Sequence, residues 1–88
     1  MSGRAHKHRV VCKASKVPDG WVIVAECHSP ACPGEDQNGW VIKRPGEREL
    51  VCAVSPMPPG YRPARATHAA GCPGDGDNAL VIERDEET

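Results

Sequence analysis

The chain is written twice. Residues 10–44 align with 50–84 without a gap, at an offset of 40, and 13 of the 35 aligned positions are identical. The shared positions are Val11/Val51, Cys12/Cys52, Ser15/Ser55, Pro18/Pro58, Gly20/Gly60, His28/His68, Cys32/Cys72, Pro33/Pro73, Gly34/Gly74, Asn38/Asn78, Val41/Val81, Ile42/Ile82 and Arg44/Arg84. Trp21/Tyr61 and Trp40/Leu80 add apolar matches. A repeat of this length is one supersecondary unit, and such a unit cannot bury its own apolar face. The two copies are therefore expected to pack on each other.

Each copy parses into three short strands separated by turn signals. The first strand is "RVVCKA" or "ELVCAV", the second "WVIVAEC" or "YRPARAT", and the third "GWVIKR" or "ALVIER". Between the first two lies "VPDGW" or "MPPGY", where proline is expected to fix φ at the second turn position and glycine to supply a positive φ after it. Pro63 has no N–H to give a sheet, so its strand belongs at an edge. No window carries helical periodicity over three turns. The fold class expected is all-β: two three-stranded antiparallel meanders, related by an approximate twofold and forming one domain. The organisation reads as a basic arm (1–9), repeat one (10–44), a linker (45–49), repeat two (50–84) and an acidic tail (85–88).

Such a domain needs a staple. Valine, isoleucine and leucine make up 14 of the 88 residues and phenylalanine is absent, which is thin material for a core. Five cysteines and four histidines are the candidates. The N-terminal "MSGRAHKHRVV" is basic and holds no apolar run of signal-peptide length, so the expected location is cytoplasmic. No stretch approaches membrane-span length. Under cytoplasmic conditions, clustered Cys and His point to metal rather than to disulfides.

The repeated set is Cys12, His28, Cys32 and Cys52, His68, Cys72, a C-x15-H-x3-C pattern in each copy. Zinc takes four thiolate or imidazole ligands, and this spacing is not the doubled C-x2-C of a zinc ribbon. Cys27 supplies a fourth ligand in copy one, but its counterpart is Thr67. Several arrangements are open. One or two zinc ions can be bound by Cys12, Cys27, His28, Cys32, Cys52, His68 and Cys72, with the incomplete second site filled by water, Asp75, Asp77 or an N-terminal histidine. A single ion can be shared by Cys12, Cys32, Cys52 and Cys72. Alternatively, Cys12–Cys32 and Cys52–Cys72 are disulfides and Cys27 is unpaired. Zinc is the leading expectation. His28 and His68 also have a plainer reading as turn residues bonding a nearby carbonyl. "DGDN" and its counterpart "EDQN" read as turns capped by Asn78 and Asn38.

Catalytic signatures are lacking. The chain has no Ser-His-Asp arrangement, glycine-rich phosphate loop or pair of buried carboxylates, so the expected function is not enzymatic. Cys27, next to His28, is the one thiol suited to chemistry. The leading functional expectation is a zinc-stapled adaptor for a protein partner, acting as a monomer. The second is a nucleic-acid-binding module that uses the basic arm together with Trp21, Tyr61, Arg62, Arg65, Lys43 and Arg44. A formal net charge of −1 argues against it.

Overall fold

The computed structural model describes residues 8–85. Six strands follow in order: β1 (Arg9–Cys12), β2 (Val22–Cys27), β3 (Gly39–Lys43), β4 (Arg48–Cys52), β5 (Tyr61–Thr67) and β6 (Ala79–Arg84). They form two three-stranded antiparallel sheets, as expected. The strand order differs from a meander, because the orders are β1-β3-β2 and β4-β6-β5. The last strand of each repeat lies in the middle, and the first two flank it. Residues 13–21 and 53–60 are long enough to arch across that central strand, whereas a two-residue hairpin would hold neighbours side by side.

Residues 1–7 of the expected arm and 86–88 of the expected tail lie outside the described residues, while Arg9 opens β1. Arg48 and Glu49 join β4 rather than the linker, leaving 44–47 as the connection.

The duplication holds down to the register. Cys12 pairs with Gly39 and Val11 with Trp40; Cys52 pairs with Ala79 and Val51 with Leu80. The irregularity recurs as well. A bulge falls between Ile23 and Ala25 in β2, and another between Pro63 and Arg65 in β5. A bulge in an edge strand is where proline is tolerated, and β5 is an edge, as Pro63 required. The turns also correspond, with Gly20 at φ +85° and Gly60 at φ +88°. In the first turn the Trp21 N–H donates to the Pro18 carbonyl at 3.2 Å, so Asp19, not Pro18, takes the second turn position.

The way the repeats pack is not twofold. Strand β2 lies against β4, but no strand of the first sheet lies against β5. A twofold would require both contacts. Val22, fully buried, joins Val51 and Ile82 in one core cluster. Ile23 and Ile42 join Cys52, Cys72 and Ala79 in a second. The outer edge of β2 is closed by the second repeat: the Ile23 N–H donates to Ser55 Oγ (2.9 Å) and the Glu26 N–H to the Gly71 carbonyl (2.9 Å).

The side chains explain the asymmetry. Val22, Ile23 and Ala25 correspond to Arg62, Pro63 and Arg65, all exposed. Strand β5 therefore carries an edge blunted by proline, charge and a bulge, as unpaired edges require. Truncating Ile23 to alanine should cost about 2–5 kcal/mol. The Pro63→Ala change at the matching position should be close to neutral, because its side chain is exposed. Urea denaturation of the two variants checks the contrast.

Candidate functional site

Cysteine chemistry decides what the repeated loops are for. Cys12 is bonded to Cys32 and Cys52 to Cys72, with Cα separations of 5.4 and 5.3 Å. Both distances suit a disulfide. Each bond ties the end of a repeat's first strand to the loop before its central strand. Four of the seven expected zinc ligands are therefore oxidised sulfurs, not the thiolates that zinc requires. Among the described residues no group of three or more His, Cys, Asp and Glu side chains is arranged to hold a metal ion. The zinc reading finds no support here, and the disulfide alternative fits.

The matched histidines then need another explanation, and the loops provide one. His28 Nδ1 lies 2.9 Å from the Asp36 carbonyl, and His68 Nδ1 lies 2.8 Å from the Gly76 carbonyl. A carbonyl only accepts, so Nδ1 carries the hydrogen in both. Each ring bridges the two ends of its loop, the plainer role open to it from the sequence.

Asn38 and Asn78 occupy the loop centres and are buried. Asn78 Oδ1 accepts from the Ala69 N–H at 2.8 Å, while Nδ2 donates to the carbonyls of Ala69 (3.0 Å), Cys72 (2.9 Å) and Gly74 (3.0 Å). Asn38 repeats the set with Ser29, Cys32 and Gly34. One side chain thus satisfies a backbone turn that contains no helix or strand to do so. Positive φ at Gly34 (+105°) and Gly74 (+100°) makes the turn possible.

Cys27 is the free thiol, half-buried at the end of β2. It pairs across the sheet with Gly39, as Cys12 does from the other side. A Cβ at Gly39 would lie 3.3 Å from Cys27 Sγ. The second repeat pairs Thr67 with Ala79 instead. The change from Cys27 to Thr67 therefore leaves the disulfide framework untouched.

The expected binding surface is dispersed into different contacts. Tyr61 Oη donates toward the Gly46 carbonyl (2.7 Å), and its ring joins the core, so it clasps the connection between repeats. Lys43 pairs with Glu49 at 2.9 Å and Arg62 with Glu83 at 3.5 Å. Arg65 lies exposed on the edge strand. Only Trp21 and Arg44 stay together, with the Arg44 guanidinium 5.5 Å from the centre of the indole.

Trp21 belongs to a feature that sequence reasoning did not see. The arches of the two repeats face each other across a groove of about 810 Å³. Trp21, Trp40 and Pro18 from repeat one meet Val54, Met57 and Pro59 from repeat two. Val54 and Met57 are 55% and 41% exposed, unusual for large apolar side chains in so small a core. Cations line the rim: Lys16 borders the groove, the Arg9 guanidinium is 5.1 Å from the Trp21 ring, and Lys13 Nζ is 4.4 Å from the Trp40 ring. The repeated "VPDGW" and "MPPGY" marked each arch, but nothing in one dimension shows that the arches meet.

No family model, curated protein or solved structure matches the chain.

The two disulfides close loops of equal length, 20 residues apart in each case, so chain entropy favours both alike, by about 3 kcal/mol. Their burial differs, with Cys52 at 1% and Cys72 at 5% while Cys12 and Cys32 are half-buried. The Cys52→Ala/Cys72→Ala pair should therefore destabilise the protein more than Cys12→Ala/Cys32→Ala, by a cavity contribution on top of the shared one. Thermal melts of the two double variants measure the difference. Asn78→Ala, which strips three carbonyls and one N–H of their partner, should cost about 2–3 kcal/mol with both disulfides intact.

Proposed function

We propose that this small disulfide-stapled all-β domain is a non-catalytic binding module for a protein partner, and that the groove between its arches takes an extended, proline-containing acidic segment. The groove itself carries the reading: two indoles, a methionine and several prolines form an open apolar trough on a domain with little apolar material to spare. Aromatic troughs suit polyproline II segments, whose preset backbone loses little entropy on binding. Arg9, Lys16 and Arg44 around the trough outnumber Asp19 in its lining and favour carboxylates on the ligand.

Disulfides in place of zinc also change the compartment we propose. A short chain held by two cross-links suits an oxidising environment rather than the cytoplasm. No described helix is long and apolar enough to cross a membrane. The nucleic-acid alternative is the weaker one, since Lys13, Lys43, Arg48 and Arg62 are all engaged with carboxylates.

A titration tests the proposal. A blocked peptide alternating glutamate and proline around a central leucine should quench or shift the tryptophan emission in a saturable manner. The affinity should fall with added salt. Trp21→Ala should weaken binding about tenfold or more, as expected for a central aromatic anchor. An unchanged affinity in Trp21→Ala, or equal binding of a lysine-proline peptide, contradicts this reading.

A further inference from the structure

The one-way packing leaves repeat one with its own copy of the edge that β2 engages on repeat two, although Ile42, the counterpart of Ile82 beneath Val22, is already covered. On repeat two that edge consists of Ser55 Oγ, the Gly71 carbonyl and the Cys52–Cys72 bond. The first two accept the Ile23 and Glu26 N–H groups, and Cys72 Sγ lies 3.9 Å from the Val24 carbonyl. Forty positions earlier stand Ser15, Ala31 and Cys12–Cys32, on the same register and the same asparagine clasp. Their surroundings differ. Ser15 is exposed where Ser55 is half-buried, and Cys32 is half-buried where Cys72 is buried. Among the described residues no donor reaches the Ser15 hydroxyl or the Ala31 carbonyl.

We propose that this edge of repeat one docks the open edge of an extended strand from a partner protein, through the counterparts of the two acceptors with which repeat two holds β2. The occupied duplicate, in the same molecule, defines the ligand. It must offer two outward backbone N–H groups spaced as in Ile23 and Glu26.

One substitution sharpens the requirement. A Cβ built at Gly71 lies 3.3 Å from the Ala25 Cβ but 4.0 Å from the Ala25 Cα. Repeat one carries that Cβ, as Ala31. An alanine in the docked strand is crowded there, whereas a glycine meets it at ordinary van der Waals distance. The partner strand therefore bears glycine where β2 bears Ala25. A second copy of this chain does not qualify. Its β2 is already bound, and β5 presents Pro63, without an N–H, and Arg65 in the place of Ala25.

The probe is a blocked, lysine-flanked peptide carrying Trp-Val-Ile-Val-Gly-Glu-Ser, the sequence of residues 21–27 with Ala25→Gly and Cys27→Ser. It is titrated into the oxidised, ¹⁵N-labelled full chain. Saturable shifts are expected at the amides of Ser15, Ala31 and Cys32. The peptide that keeps alanine should bind about tenfold more weakly, and the Ala31→Gly protein should restore it. A peptide with proline at the Ile23 position should lose binding by a similar factor. Equal affinities across these pairs overturn the proposal. So do a lack of saturable binding, shifts at Ser55 and Gly71, and shifts confined to Trp21, Trp40 and Met57. The last outcome leaves the groove reading standing.

Discussion

Strand β2 is engaged along both edges, and most of the structure depends on that engagement. Ile23 faces its own sheet's core together with the second repeat's disulfide, while Val22 enters the cluster of Val51 and Ile82. Its outer N–H groups are taken by Ser55 and Gly71. Apolar burial supplies the driving force, but the hydrogen bonds fix the register, because an unpaired N–H at a buried edge carries a desolvation penalty. A domain with 14 strong core formers reaches stability by making one strand serve two sheets. The consequence is polarity. Among the described residues, the first repeat's copies of those two acceptors meet no donor, and the second ends in an edge blunted against pairing.

Within each repeat the local staple is a disulfide and an asparagine acting together. The disulfide brings the loop over the end of the first strand, and the asparagine then satisfies the carbonyls that the loop leaves unpaired. Histidine bridges the loop's ends from outside. This explains why His, Cys, Pro, Gly and Asn persist together through the duplication while most of the second strand has diverged. The loop is a self-contained unit. The strand beside it is shaped by what it must cover, which differs between the copies.

Much of this is readable in one dimension. Gap-free identity located both units, β-rich runs between turn signals located the strands, and Pro63 marked an edge. Strand order was not legible, because a nine-position arch can lead to an adjacent strand or over a central one. Nor was the choice between zinc and disulfide, since C-x15-H-x3-C brings the same sulfurs together for either purpose. Histidine weighted the reading toward metal, yet its ring is used for a carbonyl. The asymmetry is written at Val22/Arg62, Ile23/Pro63, Ala25/Arg65 and Ala31/Gly71, the positions where a twofold fails, and Pro63 alone does not reveal what β2 packs against. The groove required the fold, because its two halves lie far apart in the chain.

The fold rests on cross-linked loops that hold two unequal repeats together. The most direct test is alkylation under denaturing conditions, with peptide mapping of the protein before and after reduction. Before reduction a single adduct is expected, at Cys27, with the Cys12–Cys32 and Cys52–Cys72 peptides linked; after reduction all five cysteines are labelled. Five reactive thiols in the natively purified, folded protein, released together with stoichiometric zinc on acidification, would contradict it.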